Sequence, residues 1–352
     1  MAGRGTLHNL DHRFSGPRIE VVDDGWQQDA DWAPEFMKSA PQTQVREIQA
    51  RSIISHNQSP DVPFSRSINP YQGCEHGCIY CYARPSHAYL ELSPGLDFET
   101  QLFAKLNAAD LLRQAFAKPG YQPQTIVIGA NTDPYQPIEQ HYRLTRALLE
   151  VMLAHKHPVG IITKSAMVLR DLDLLQALAS QGLCRVMVSV TTLDEALRRK
   201  LEPRASTGQG RLAVIGKLAR AGIPVGVLAA PMIPRLNESE LEQIINAAAA
   251  QGASQAGYIL LRLPHELTQL FDDWLALHYP AKRQAVLEQL KASREGQLNS
   301  QAFGDRMRGT GQFASLLAQR FRLVCKRSGL NSAHTPLNLH AFIRPHQQFE
   351  LF

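Results

Sequence analysis

Three closely spaced cysteines are the residues of this chain best suited to chemistry. Cys74, Cys78 and Cys81 fall within eight residues, whereas Cys184 and Cys325 lie far away in the 352-residue sequence. Thiolates at such spacing serve in a disulfide framework, a zinc site or an iron–sulfur cluster. Five cysteines is an odd number, and the first residues carry no basic and apolar signal segment for an oxidising compartment. We therefore expect reduced thiols that bind a metal.

Zinc is one alternative, because His76 or His87 offers a fourth ligand beside the three thiolates. Structural zinc sites, however, usually combine two ligand pairs that a longer loop separates. Here the spacing is C-x3-C-x2-C in one short loop, and no second pair follows. A cubane iron–sulfur cluster normally takes four thiolates, so three would leave one iron open to a reacting ligand. The spacing therefore favours a cluster over zinc and leaves zinc as the alternative.

The cysteine loop and its surroundings resemble a known family. A C-x3-C-x2-C loop with an aromatic residue, Tyr80, before the last cysteine resembles the signature of the radical SAM superfamily. The wider phrase from 59 to 98 is similar to the branch that contains the spore photoproduct lyases, and within it to a bacterial group without an assigned function. The resemblance implies two cofactors, a [4Fe–4S] cluster on Cys74, Cys78 and Cys81 and S-adenosylmethionine (SAM). It also implies a one-electron donor such as flavodoxin or ferredoxin.

The pattern of elements predicts an α/β protein. From about residue 53 to 265, some six short apolar strands are mostly separated by helical patterns, which specifies parallel strands with right-handed crossovers. The alternation alone does not decide between a barrel and a doubly wound sheet. The resemblance implies an open (β/α)6 partial TIM barrel. We expect its first strand at 66–70, directly before the cysteines, and a helix over 101–118.

Changes in composition along the chain suggest three parts. Residues 1–60 read as a partly disordered N-terminal extension, 61–265 as the partial-barrel domain, and 266–352 as an appended helical, basic region. Hydrophobic residues make up 44% of the chain and charged residues 20%, as in ordinary soluble proteins. No apolar run approaches the roughly 18 residues of a membrane span. We expect a cytoplasmic protein without a membrane partner.

In such barrels the chemistry lies at the C-terminal ends of the strands, so the loops after each strand hold the candidate site residues. Asn131, Thr132 and Asp133 follow the second strand, where the superfamily binds the ammonium group of SAM; a turn before an N-capped helix is the structural alternative. Lys164 and Ser165 follow the third strand. A lysine at the end of an apolar strand needs an anion, and the lyase-like branch implies the SAM carboxylate, with a structural salt bridge as the alternative.

Further candidates surround the same face. Ser189 and Thr191 alternate onto one side of the fourth strand, where their hydroxyl groups could bond the ribose of SAM. Arg204, in the phrase LEPRAST, could pair with a carboxylate bidentately, and a surface loop is the alternative. Tyr80 is expected to help seat the adenine.

The substrate is predicted only as a class. Residues 282–352 contain eleven Lys or Arg against four acids, a balance of +7 in a chain whose net charge is +5. Such asymmetry favours a phosphate-bearing partner such as nucleic acid, and a solvated basic helix face is the alternative. Spore photoproduct lyases carry a hydrogen-donating cysteine after strand two, where this chain has Ala130 and Asn131. Tyr82 and Tyr135 are candidates for a radical relay in its place. A zinc- or cluster-stabilised nucleic-acid-binding protein without SAM chemistry is the alternative function.

Overall fold

The computed structural model describes residues 3–6, 8–15, 42–300, 302–333 and 335–345. Its centre is a seven-stranded sheet, beside which lies a smaller sheet of three strands. The strands are β1 (Gln44–Ile48), β2 (Ile54–His56), β3 (Arg66–Ile68), β4 (Tyr71–Gln72), β5 (Gln101–Lys105), β6 (Ile126–Ile128), β7 (Val159–Thr163), β8 (Cys184–Ser189), β9 (Val225–Met232) and β10 (Gln255–Leu260).

The strand order of the large sheet is β10-β9-β8-β7-β6-β3-β2. Each neighbouring pair from β3 to β10 is parallel, and only β2 runs antiparallel, along the outer side of β3. Within the described residues β10 and β2 do not pair with each other, so the sheet stays open. Six parallel strands in sequential order confirm the predicted open (β/α)6 partial barrel.

Helices connect these strands and extend the fold beyond β10. The α-helices are α1 (Asp97–Thr100), α2 (Ala108–Ala117), α3 (Glu139–Tyr142), α4 (Leu144–Ala154), α5 (Leu172–Ala179), α6 (Glu195–Leu201), α7 (Gly208–Arg220), α8 (Leu241–Ala250), α9 (Leu267–His278), α10 (Pro280–Ala292), α11 (Asp305–Arg308) and α12 (Gly311–Arg327). No described helix is long and apolar enough to cross a bilayer.

The predicted helix over 101–118 is wrong in its first half. Residues 101–105 form β5, whose Leu102 and Ala104 are buried while their neighbours are partly exposed. This strand lies between β1 and β4, and α2 begins only at Ala108. Pairing with strands that are distant in sequence overrides the helical spacing of the leucines. The first barrel strand is also shorter than expected, since it ends at Ile68, before Asn69 and Pro70.

Two apolar cores position the site. The larger core lies between the sheet and its flanking helices, with Ile68 and Val324 among its buried members. The smaller core joins the cysteine loop to α6, α9 and α10, with Ile79, Leu201 and Trp274 among its buried members. The helices after β10 therefore pack against the loop that carries the cysteines.

The predicted N-terminal extension is described only in part, because residues 16–41 lie outside the described chain. The segment 3–15, apart from residue 7, packs against the cysteine loop and α9. Gly5 donates its backbone N–H to the carboxylate of Glu99 at 2.9 Å, and Arg13 forms an ion pair with Glu266. These contacts place the segment on the site side of the barrel.

Candidate active site

The three clustered cysteines lie on one loop after β3 and β4. Two glycines with positive φ, Gly73 at 75° and Gly77 at 66°, give this loop its tight turns. The backbone N–H of Cys74 donates to the carbonyl of Phe98 at 2.9 Å, which fixes the start of the loop. The thiols are free and largely buried, with Cys74 7% and Cys78 5% exposed. Backbone conformation and burial therefore hold the thiols on the face where the strands end.

Burial makes a bare thiolate unfavourable at this loop. Burial raises the pKa of Cys78 to about 11, although the nearby Lys164 ammonium opposes the shift. The pKa of Cys74 is raised as well, by burial, by Asp133 and then by the other two cysteines. Buried thiols that repel one another as thiolates fit a cationic iron–sulfur cluster, which would compensate their charge. In the described residues no three His, Cys, Asp or Glu side chains converge to hold a single metal ion.

A buried polar cluster lies directly against the cysteine loop. The Lys164 ammonium is 3.2 Å from the Cys78 sulfur, 3.0 Å from the Tyr80 hydroxyl and 3.0 Å from Glu202 Oε1. The hydroxyl groups of Tyr80 and Thr191 both donate to the same Glu202 carboxylate. Burial alone would lower the pKa of Lys164, but its anionic neighbours raise it. The structure thus brings three predicted site residues, Tyr80, Lys164 and Thr191, to the cysteines.

Glu202 is the common partner in this cluster and is itself fully buried. Its second oxygen accepts from the guanidinium of Arg211, which is only 1% exposed. Burial acts to raise the pKa of Glu202, and the two cations Arg211 and Lys164 overcome it, so the pKa lies well below its usual range. Glu202 is therefore a carboxylate that balances two buried positive charges.

Asp133, after the second barrel strand, is held in a dense set of hydrogen bonds. It accepts from the Thr163 hydroxyl at 2.7 Å and from the backbone N–H groups of Tyr135 and Lys164 at 2.9 Å each. Its second oxygen lies 3.4 Å from His76 Nδ1. Burial opposes ionisation, but His76 and these donors lower the pKa of Asp133 to about 2. Asp133 thereby ties the ends of β6 and β7 to the cysteine loop.

The other residues after the second strand have structural partners too. Thr132 is 2% exposed, and its hydroxyl donates to the carbonyl of Tyr71 at 3.1 Å. The backbone N–H groups of Asn131 and Thr132 both donate to the side chain of Asn69. These bonds join the loop after β6 to the connection between β3 and β4.

The predicted serines and Arg204 lie around the same face. Ser165 caps a short 3-10 helix by accepting from Met167 N at 3.2 Å, and the carbonyl of Ser189 accepts from Arg211. Arg204 forms an ion pair at 3.2 Å with Glu75, a residue that lies between Cys74 and Cys78 in the sequence. Arg204 thus reaches the loop through Glu75, whereas Ser165 and Ser189 are placed by their own local contacts.

The two candidate relay tyrosines are far from equivalent. Tyr82 follows Cys81, is 45% exposed, and its hydroxyl donates to the carbonyl of Ala130 after the second strand. Tyr135 is completely buried, and its hydroxyl donates to Asp171 at 3.1 Å within the larger core. Only Tyr82 is open to a molecule at the mouth of the barrel.

Sequence reasoning missed several buried charged residues that organise the site. Glu202 and Arg211 are not among the residues that the sequence predicts for the site. Arg84, which is fully buried, donates from Nε to the carbonyl of Cys78 at 2.8 Å and from Nη2 to Glu99 at 2.5 Å. The one available signal was Lys164 at the end of an apolar strand, which requires an anion without indicating which carboxylate supplies it.

The fold and the cysteine loop together define a class of protein. The family model of the radical SAM superfamily matches residues 68–248, so the chain belongs to this superfamily. Its members are enzymes that use a [4Fe–4S] cluster and SAM as cofactors and need an electron donor.

The chain is also similar to uncharacterized proteins of other organisms. The uncharacterized protein Rv2578c of Mycobacterium tuberculosis is 38% identical over 221 residues, which are 62% of this chain and 65% of that protein. The uncharacterized protein MJ0683 of Methanocaldococcus jannaschii is 27% identical over 197 residues, 56% of this chain and 71% of that protein. The chain thus matches less than two thirds of the length of the mycobacterial relative.

Among solved structures, the chain is similar to spore photoproduct lyase. A variant of that enzyme with bound AdoMet and dinucleoside spore photoproduct has a TM-score of 0.60 at 19% identity, covering 81% of this chain and 80% of the other. A second variant gives a TM-score of 0.59 over the same shares of the two chains. At this identity the likeness establishes a shared fold.

Proposed function

We propose that this chain is a radical SAM enzyme whose cluster is held by Cys74, Cys78 and Cys81. The observation that carries the proposal is the set of three free thiols on one loop, two of them buried, with the Lys164 ammonium 3.2 Å from one sulfur. When bound, the cluster and SAM supply reductive cleavage of SAM to methionine and a 5′-deoxyadenosyl radical that abstracts hydrogen from a substrate. A donor such as flavodoxin or ferredoxin delivers the electron.

Lys164 is the strongest candidate for binding SAM. Its ammonium already lies among anionic and polar partners beside Cys78, and a SAM carboxylate entering there would share it with Glu202. Charge-assisted hydrogen bonds of this kind are about twice as strong as neutral ones. The hydroxyl of Thr191 is within reach of the same cluster. The remaining candidates are Tyr80 for adenine, Ser189 for ribose, and Asn131, Thr132, Asp133, Ser165 and Arg204 for the polar end of SAM.

Nucleic acid is the substrate class that we propose. The basic balance of residues 282–352 supports it, as does the shared fold with an enzyme whose solved structure holds a dinucleoside spore photoproduct. Tyr82 suits a radical relay, because it follows Cys81 and is half-exposed. Tyr135 suits the relay less, because it is buried with its hydroxyl bonded to Asp171, and the radical would have to travel through the core to reach it.

The same chemistry suggests the organisation and location of the protein. We propose residues 61–265 as the catalytic unit, residues 1–60 as an extension and residues 266–352 as a basic region beside the barrel. Reduced thiols ready for cluster assembly suit the cytoplasm.

Anaerobic reconstitution tests the function. We expect a brown protein with about four irons per chain, which releases 5′-deoxyadenosine when dithionite and SAM are added. The Cys78→Ala variant should lose both properties. The matched control is Cys325→Ala, which removes a buried thiol of the outer helix α12 and should retain them.

Two outcomes would contradict the proposal. A colourless, zinc-loaded protein without SAM cleavage would favour the alternative, a zinc-stabilised nucleic-acid-binding protein. A Cys78→Ala protein that still assembled a SAM-cleaving cluster would show that the thiols act otherwise.

A further inference from the structure

We propose that Arg262, at the end of the sixth barrel strand, binds a phosphate group of the substrate at the mouth of the active site. The inference rests on the proposed function and deepens it by assigning a residue to substrate recognition. It depends on the position of Arg262, its lack of a counter-ion and the charges around it.

The position of Arg262 is on the active face of the barrel. It follows β10, and the N–H of the preceding Leu261 still donates to Met232 in β9 at 2.9 Å. The Arg262 guanidinium stacks on the ring of Tyr82, 5.1 Å from its centroid. Tyr82 directly follows Cys81 and is 45% exposed. The guanidinium therefore stands beside the cysteine loop, next to a side chain that reaches the mouth.

Arg262 has no anionic partner among the described residues. In the part of the chain that the structure describes, none of its nitrogens makes a hydrogen bond or ion pair, and its polar neighbour is the Tyr82 ring. The acid nearest in electrostatic effect, Asp61, is already paired with Arg306 and accepts from Gly304 N at 2.5 Å. Burial lowers the pKa of Arg262 and Arg306 adds to the lowering, while Tyr82 and Asp61 act in the opposite direction without overcoming it.

A second arginine increases the positive charge behind this position. Arg294 is 3% exposed, and its Nη2 donates to the carbonyls of Leu260 and Arg306. Its Nε and Nη1 are buried without a hydrogen-bond partner in the described chain. Burial and the charge of Arg262 lower the pKa of Arg294 to about 10. Among the described residues, Arg262 and Arg294 are thus two cations without a carboxylate partner, and both lie beside the end of β10.

The arrangement fits phosphate better than a single carboxylate. An uncompensated, partly buried guanidinium is costly, and an arriving anion removes that cost. A planar guanidinium matches the oxygens of a phosphate bidentately. Two neighbouring cations also suit the larger and more widely spread charge of a phosphate. Arg262 would bind the phosphate directly. Arg294, whose Nε and Nη1 are enclosed, would contribute positive electrostatic potential and holds the end of β10 through the Leu260 carbonyl.

Binding measured without reductant tests the inference. Four ligands would be titrated under anaerobic conditions: thymidine, thymidine 5′-monophosphate, a hexathymidylate and N-acetylaspartate. We expect Arg262→Gln to weaken binding of the phosphate ligands at least about tenfold and to leave any thymidine binding unchanged. Arg262→Lys should recover part of the loss. The control Arg327→Gln removes one exposed positive charge from the end of α12 and should change little.

The outcomes separate the possible explanations. Binding of the hexathymidylate without the mononucleotide would identify a phosphodiester as the source of the phosphate, and the reverse would identify a free nucleotide. Equal affinity in wild type and a folded Arg262→Gln, no phosphate binding by wild type, or preference for N-acetylaspartate would overturn the proposal. Thermal unfolding of both Arg262 variants checks folding. This binding assay does not require SAM cleavage. A protein that failed to cleave SAM could therefore still show, or fail to show, phosphate binding at Arg262, and the two proposals are tested separately.

Discussion

At the scale of single residues, the site depends on charges that compensate one another away from water. Glu202 is fully buried and contacts two cations, Lys164 and the 1%-exposed Arg211. Removing one member of such a group leaves a buried charge uncompensated, which costs more than the intact interaction contributes. The cluster therefore stabilises the site only as a complete set.

Neutralising Glu202 should destabilise the protein. We expect Glu202→Gln to lower the free energy of unfolding by about 3–5 kcal/mol, because Arg211 would remain buried without its carboxylate. Urea denaturation of the purified chain measures the effect. Asp110→Asn is the control, since Asp110 and its partner Arg113 are 70% and 52% exposed, and surface pairs contribute about 0–1 kcal/mol. Similar losses in the two variants would contradict the role of Glu202.

Lys164 is predicted to determine the affinity for SAM. Lys164→Met should weaken SAM binding to the reconstituted protein roughly 10- to 100-fold, the loss of a charged hydrogen bond. Isothermal titration without reductant measures it, with iron content as a check that the cluster is present. Lys200→Met, which removes an ammonium stacked on the Tyr279 ring, should bind SAM normally. Unchanged affinity in Lys164→Met would place the SAM carboxylate elsewhere.

At the scale of elements, the N-terminal segment braces the cysteine loop. The Glu99 carboxylate accepts from the N–H groups of Gly5 and Thr6 and from Arg84, and Arg84 also holds the carbonyl of Cys78. Gly5 is pressed so closely against the loop that a Cβ there would lie 1.7 Å from the Gly77 carbonyl oxygen. A glycine at position 5 is therefore required for this contact.

Adding one methyl group at Gly5 should loosen the loop. We expect Gly5→Ala to displace the segment at a cost of about 1–3 kcal/mol, the usual range for overpacking, and to lower iron retention after reconstitution. Thermal unfolding and limited proteolysis of the N-terminal residues provide readouts without activity. Gly120→Ala is the matched control, because its Cβ would meet nothing within 4 Å. Equal behaviour of the two variants would mean that the segment does not brace the loop.

A buried histidine at the N-terminal end of β7 makes the stability of the protein depend on pH. His157 is fully buried, stacks on Phe116 at 4.4 Å, and its Nε2 accepts from the Tyr121 hydroxyl at 2.8 Å. Burial lowers its pKa from 6.5 to about 3. Between these values the unfolded chain binds a proton that the folded chain does not, so stability falls as the pH decreases through this window.

The free energy of unfolding should fall by up to about 1.4 kcal/mol for each pH unit below 6.5 because of His157. Urea denaturation at pH 7, 6 and 5 of wild type and His157→Gln isolates this contribution from other titrating groups. We expect the wild type to lose more stability than the variant on acidification. Parallel profiles would show that His157 is not held neutral by the fold.

At the scale of the whole molecule, the open sheet leaves one side for the segments after β10. Helices α9 and α10 join the smaller core with the cysteine loop, while α12 packs on the larger core. This arrangement puts the basic residues between positions 282 and 344 onto the same body as the site.

Binding of single-stranded DNA should weaken steeply with salt. Each phosphate neutralised by a Lys or Arg contributes about −0.7 to the slope of log affinity against log salt. Fluorescence anisotropy of a labelled oligonucleotide between roughly 50 and 300 mM salt gives the slope. Arg262→Gln should reduce the magnitude of this slope by about 0.7, the contribution of one phosphate contact. A flat response would contradict a phosphate-bearing substrate.

Much of the architecture was predictable because its determinants are local. The spacing of Cys74, Cys78 and Cys81 is set by the few residues that separate them in the sequence. The alternation of strands and helices follows from the hydrophobic periodicity, which predicted about six parallel strands. The exception, residues 101–105, had helical spacing but became a strand through pairing with β1 and β4. A single stretch of sequence does not contain its partner strands.

The sequence by itself therefore placed three cysteines on one loop and predicted about six parallel strands, with the loops after these strands on one face. Only the tertiary structure decided which groups meet there: Lys164 with Glu202, Gly5 against Gly77, and Arg262 with the Tyr82 ring. The physical reason is separation along the chain. A buried charge requires a partner within a few ångströms, and residues 38 or more positions apart become neighbours only when the whole chain has folded.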